Sequence, residues 1–574
     1  MSAYLVRSVC RSPAILAVAA AVLVGCGDDG VSPVDGPPPA ILSVEPATGT
    51  VGTDLRITGT DFRGGASGSV GGFPSPQVDV AGPNEAFVRV PAGVEVGTTY
   101  DVTFTNSDGT ETTFPAAFTP VVPTLSFVNG ATKPSGNAGS TVILEGSAFG
   151  DVEGPGRILF SDGVGGTVAA TIAGVEDWTD GFILTTVPSG AASGPVLVET
   201  GTGQSESLPF TVTQNATFSP STIEWTETEA LPMAVSGHSA TYVPIDDAGG
   251  ATVERAYVVG GTGADSIPTT GVVYSEIQPD GSLVTWQNGT ALTTPVAHHT
   301  TVAATPFNSK VQGSGYLYVM GGIEEKGGQP VSTIRRIALN EDGTTAAEEA
   351  AGSLPTALHS FGAVIFRSTI YLAGGATTDD APVAGAYRAA IDTLGNIGAW
   401  EALPDLPEAR AYHQFVGFGG FLYAVGGDGA PVEVDDGNFS QNSTKLSTVA
   451  RARINLRSGL LTDGWAVSGS TLQKNRSKHV ALAAGGSLFV SSGLYAAAGT
   501  GSSENSYATL NSDGTVGSFG GATGSNTLQS VSGMNLFGTR GIAYVDADGE
   551  AHVMILGGDD VNNPGTKSAK VIFY

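Results

Sequence analysis

Cysteine is nearly absent from this chain of 574 residues: only Cys10 and Cys26 occur. With so few thiols, the fold must be held by packing rather than by a disulfide framework. Cationic residues are also scarce, with 25 Lys and Arg against 54 Asp and Glu and a net charge of −29. Nucleic-acid binding needs clustered Lys and Arg, so this balance excludes that class of partner. It also repels anionic lipid, and it suits the solubility of an exported protein. No Gly-Lys dipeptide occurs, which removes a phosphate-binding P-loop, and no His-Glu dipeptide starts a zinc-protease helix. Long amphipathic helices are missing too. What is abundant is glycine (82) and proline (32), the composition of short strands joined by many turns.

The N-terminus carries the sharpest motif. Arg7 and Arg11 precede the apolar run "PAILAVAAAVLV" (13–24), which is too short to span a bilayer as a stable helix. It leads into "LVGC" (23–26). This resembles a bacterial lipobox, which implies a signal peptide at 1–25, lipidation of Cys26 and a membrane anchor. Cleavage would remove Cys10 and two arginines, leaving no free thiol and a charge of −31. Residues 26–39, rich in Gly, Pro and Asp, read as a tether that cannot pack a core.

Strand patterns begin at Ile41. "LRITG" alternates apolar and polar side chains, and "NSDGTE" supplies an Asp-Gly hairpin turn at 108–109. Residues 40–120 resemble an immunoglobulin-like IPT/TIG domain through Pro46, Gly49, Gly52-Thr53, Ile57, Gly59, Phe62 and Val90-Pro91. A second copy is expected over 121–214, where "GNAGSTVILEGSAFG" repeats the glycine turn and the Gly-x-x-Phe ending. The resemblance implies two β-sandwiches acting as a spacer or binding module.

Residues 215–574 contain a repeat. Six apolar runs end in glycine: "YVVGG", "YLYVMGG", "IYLAGG", "LYAVGG", "LFVSSG" and "VMILGG", spaced 61, 53, 52, 66 and 65 residues apart. Most are preceded by Leu-Pro and a histidine and followed by a strand, a turn and a Trp. Each unit reads as four antiparallel strands, and six such units bury their faces radially as a β-propeller. The pattern resembles the kelch-repeat family. The chain ends at "SAKVIFY", in what reads as the third strand of the sixth unit. The orphan segment "ATFSPSTIEWTET" (216–228) is therefore expected to supply the fourth and close the ring. The fold class expected is all-β: two sandwiches, then a six-bladed propeller.

Six of the seven histidines precede the glycine runs: His238, His298, His299, His359, His413 and His479. Equivalent places in six blades spread such side chains around a ring too wide for one metal ion, so they read as structural and no metal is expected. Some kelch-like propellers with immunoglobulin-like domains resemble galactose oxidase, but its cysteine-linked tyrosine has no counterpart here. A kelch-type sugar mutarotase or epimerase would need only a few polar groups, with Glu408, Arg410 and His413 as first suspects. Acidic loops could hold Ca²⁺ through oxygen ligands, although none has EF-hand spacing and they read better as solvated loops. The longest loop, 428–447, carries Asp428, Asp435 and Asp436 and belongs to the face where ligands are expected. No catalytic set and no cofactor emerge. Two functions remain open. One is a monomeric, lipid-anchored binding or adhesion module for a glycan or protein; the other is a carbohydrate-active enzyme on a stalk.

Overall fold

Strands alternate with tight turns from Ala40 onward, and all 48 regular elements described in the computed structural model are β-strands. The structure describes residues 36–574 apart from 137, 152–155, 173–176, 213–222, 379–380, 430–443, 456–457, 496–499, 502–504, 512, 522–531, 546–550 and 564. No described helix is long and apolar enough to cross a membrane.

The first sandwich pairs Ala40–Glu45, Asp54–Thr60, Glu85–Arg89 and Val78–Gly82 in one sheet. The facing sheet is built on Glu111–Pro120, Tyr100–Thr105 and Ser67–Val70. The alternation in "LRITG" does what a half-buried strand requires. Leu55 and Ile57 enter a core with Val88, Val102, Phe104 and Phe118, while Arg56 points out to Glu85. The second sandwich repeats the plan around Val142, Leu144, Phe160, Trp178, Val196 and Phe210. The shared Gly-x-x-Phe ending has a steric cause. A Cβ at Gly59 would strike the Ala40 carbonyl and the Phe62 ring, and one at Gly146 would strike the Thr124 carbonyl and the Phe149 ring. Thr50 joins the sandwiches, its hydroxyl donating to Thr200 Oγ1 at 2.9 Å, and the Asp54 amide donates to Asp151 at 2.7 Å.

Six four-stranded sheets follow. Their innermost strands are Ser239–Asp246, Thr300–Ala304, Gly362–Phe366, Gln414–Phe418, Val480–Ala484 and Arg540–Val545. Each touches the next and the sixth touches the first, so the sheets form a closed six-bladed propeller. The runs before the glycines are the second strands, buried on both faces as their apolar sequences require. The expected closure is present: Thr226 and Glu227 pair with Phe573 and Ile572, completing blade six beside Val571–Phe573. Ile223 and Trp225 are buried behind this closing strand, Trp225 against Phe489.

A second repeated device ties neighbouring blades. The tyrosine three residues before the glycine pair reaches the outer hairpin turn of the next blade. Tyr257 donates to Gly343 O at 2.5 Å, Tyr318 to Gly395 O at 2.8 Å, Tyr371 to Gly459 O at 2.7 Å and Tyr423 to Gly514 O at 3.2 Å. Burial raises the phenol pKa of all four. Blades five and six carry Phe489 and Met554 at that place. Blade six has no outer hairpin for Phe489 to meet, because its outer strand comes from the start of the propeller.

The second sandwich seats on the propeller at the ends of its innermost strands. Glu145 accepts from Lys310 at 2.5 Å and from Arg367 at 2.8 Å, and Lys133 pairs with Asp246. Burial opposes ionisation of Glu145, but the two cations outweigh it and hold its carboxyl below the usual range.

Two outcomes follow from these contacts. Tyr318→Phe should lower stability by about 1 kcal/mol by leaving a buried carbonyl unpaired, measurable by urea denaturation. Deletion of residues 216–228 should expose the edge of blade six and produce a protein that aggregates on mild heating. A deletion variant that melts like the parent would show that closure contributes nothing.

Candidate functional site

The position just before each innermost strand's lead-in residue builds the mouth of the central channel. Gly237, His298, Ser360, Tyr412, Lys478 and Gly538 all adopt left-handed backbone, with φ between 51° and 63°. Their main chains form a closed ring. His298 N–H donates to Gly237 O, Ser360 to His298, Tyr412 to Ser360, Lys478 to Tyr412, Gly538 to Lys478 and Gly237 to Gly538, at 2.8–3.2 Å. This six-bond collar satisfies backbone groups that would otherwise face one another across the axis.

The next residue in each blade is a wedge: His238, His299, Phe361, His413, His479 and Thr539. Its Cβ side lies against the second glycine of its own blade, and its ring tip or hydroxyl against the first glycine position of the preceding blade. His413, for example, fills the space beside Gly427 and Gly374. No Cβ fits at either glycine where a His or Phe ring is the wedge. The first position takes φ of 57–66° and the second 92–110°, with Ser492 standing in for the first glycine in blade five. There Ser492 and Thr539 hydroxyls bond at 2.9 Å in place of a histidine ring.

The histidines do not share one place, as their sequence positions suggest. His238, His299, His413 and His479 are wedges, His298 belongs to the collar, and His359 sits one residue earlier, bridging to Ala376. The doublet His298-His299 and the pair His359-Ser360 conceal this difference of register. Burial pushes the His299 and His413 imidazoles down to about 3, helped by Arg540 and Arg410 respectively. Burial likewise holds His238 and His479 well below the ordinary value, so all four wedges are neutral.

Glu408, Arg410 and His413 do not converge on a substrate space. Arg410 is fully buried, standing where blades one, two, three and six carry Val or Leu and blade five carries Arg476, and its backbone carbonyl caps Gly375. Its Nη1 donates to the carbonyls of Ala424 at 3.2 Å, Gly426 at 2.9 Å and Thr448 at 3.3 Å. Burial lowers its pKa to about 10. Glu408 holds its edge from Nη2 at 3.4 Å and accepts from Thr448. Asp428 is buried in an ion pair with Lys445 at 2.8 Å, and blade six repeats this with Asp559 and Lys567 at 2.9 Å. Asp435, Asp436 and Cys26 lie outside the described residues. Among the described residues, no group of three or more His, Cys, Asp or Glu is arranged to hold a metal ion.

Below the collar lies a cavity of about 370 Å³, walled by the innermost strands of all six blades. Ser, Thr, Gly and Ala dominate its lining, with the rings of His298, Tyr412, Phe415 and Phe537. Two cations enter it, Lys478 and Arg540. The Lys478 ammonium stands 4.7 Å from the Tyr412 ring centre and 5.7 Å from that of Phe537. Neither cation drew attention in the sequence: Lys478 is hidden beside His479, and Arg540 lies in the degenerate sixth unit.

Comparison with known proteins assigns the first sandwich. Residues 39–120 match the IPT/TIG domain family. None of the curated proteins matches the chain. One similar solved structure, titled "Structure of YjhT", is 12% identical, covers 60% of this chain and 95% of that chain, and gives a TM-score of 0.41.

The neutral wedges make stability depend on pH. Between about 6.5 and about 3 the unfolded chain binds protons that the folded imidazoles refuse, so stability is lost as pH falls through that window. His413→Phe copies the wedge that Phe361 already forms in blade three. It should make stability in urea fall less steeply with acid, by up to about 1.4 kcal/mol per pH unit. An unchanged slope between pH 7 and pH 4 would contradict this.

Proposed function

We propose that the chain is a cell-envelope lipoprotein, anchored through Cys26, whose kelch-type propeller presents a binding site at the end of an IPT/TIG stalk. One observation carries the reading. The second sandwich contacts Asp246, Lys310 and Arg367, which lie at or just beyond the far ends of the innermost strands of blades one to three. The collar sits at the near ends of those strands, so the channel mouth lies on the face opposite the stalk. A protein anchored at its N-terminus would thereby hold the mouth outward. Rigid scaffolds with a pre-formed concavity of this size suit small ligands or the terminal unit of a larger one, a glycan or a protein.

The two halves of the proposal are separable. Radiolabelled palmitate should be incorporated into the expressed chain and lost in Cys26→Ala. A glycan array probed with the purified mature protein should show binding, and NMR of the bound sugars should show no acceleration of anomer exchange. Accelerated exchange would instead identify a sugar-converting enzyme.

A further inference from the structure

The cavity reverses the charge of the protein around it. The chain has 54 acidic and 25 basic residues, yet the 31 residues lining the cavity include Lys478 and Arg540 and no Asp or Glu. At the average composition of the chain about three acids would be found there. The two cations come from neighbouring blades. Lys478 is a collar residue of blade five, and its carbonyl accepts from Gly538, two residues before Arg540. Arg540 opens the innermost strand of blade six, where Ser239, Thr300, Gly362, Gln414 and Val480 open the others. The only hydrogen bond of its side chain among the described residues runs from Nη1 to the carbonyl of Thr539 at 3.1 Å, and no described carboxylate pairs with it. A guanidinium sunk in a channel without a counter-ion is costly, and low-dielectric walls focus its field into the cavity.

We propose that the channel cavity is a binding site for a small oxyanion, a carboxylate, sulfate or phosphate group, held by Arg540 and Lys478 below the collar. The fork of Arg540 offers the paired donors such a group accepts, and Lys478 adds a point charge from the rim. The hydroxyl of Ser239, which accepts from the Thr301 amide and keeps its own proton to give, and the amide of Gln414 belong to residues lining the same space and supply neutral donors. The rings of Tyr412, Phe415 and Phe537 leave room for the apolar body of an organic acid rather than for a hydrated cation. The site deepens the binding reading above by naming the ligand's charge, but it does not depend on the lipid anchor or on the glycan array.

Thermal melting and titration calorimetry on the mature protein test it, with sodium sulfate, phosphate and acetate compared against chloride at constant ionic strength. At least one oxyanion should raise the melting temperature saturably, and the anion that does so separates a carboxylate site from a sulfate or phosphate site. Arg540→Met should abolish that shift while melting no lower than the parent in chloride, since it removes a buried cation that no described carboxylate pairs with. Lys478→Gln, at the rim and harmless to the blade core, should weaken the oxyanion at least tenfold. Lys474→Gln, which removes a cation outside the cavity lining, should leave the affinity unchanged. The proposal is overturned if no oxyanion stabilises the parent, or if Arg540→Met and Lys478→Gln respond as the parent does.

Discussion

The collar's six amide-to-carbonyl bonds close only because every blade turns one residue into left-handed backbone before its innermost strand. Glycine does this freely in blades one and six. His298, Ser360, Tyr412 and Lys478 do it at a cost of about 1–2 kcal/mol each. That strain persists because the surroundings leave no alternative. The residue that follows must drive its side chain between two glycines, and the glycine pair must turn away from it. Collar, wedge and glycine pair form one interlocked unit per blade. The channel radius, the direction of each innermost strand and the placement of Arg540 and Lys478 are consequences of that unit.

Much of the architecture was legible because its causes are local. Alternation in "LRITG", Asp-Gly turns, Gly-x-x-Phe endings and six glycine-terminated runs each encode a short piece of backbone. The missing fourth strand of the sixth unit pointed to Thr226 and Glu227 by elimination. The site was not legible in the same way. Gly, His, Ser, Tyr, Lys and Gly share no side-chain chemistry, so the collar leaves no pattern to find. Adjacent histidines at 298 and 299 look interchangeable in sequence, yet one faces the mouth and the other is locked between blades. Arg410 attracted attention as a charged residue near a histidine. Its guanidinium is instead spent on three backbone carbonyls in a position that four of the other blades fill with Val or Leu. Aligning the units on the collar residue, rather than on the glycines, would have exposed that substitution and the parallel one at Arg476.

Charge is distributed by depth. The acids that make the protein strongly anionic cap outer turns, as Asp280, Asp342, Asp392 and Asp513 do by accepting from the residues that follow them. Inside, carboxylates appear as paired groups, Asp428 with Lys445 and Asp559 with Lys567. Along the axis, Lys478 and Arg540 line a space whose lining holds no Asp or Glu. An approaching anion thus meets a repulsive exterior and an attractive interior, which favours ligands small enough to enter over large polyanions.

The clamp of Lys310 and Arg367 on Glu145 has a mechanical consequence. In chain order the closing strand is the first propeller strand after the sandwiches, so tension along the chain would pull on Thr226 and Glu227 and peel blade six open from its edge. The Glu145 clamp and the Lys133–Asp246 pair supply a parallel route into blades one, two and three. Force applied along the stalk is therefore shared with blades whose four strands are continuous in the chain. The seam that depends on two distant segments meeting is spared the full pull.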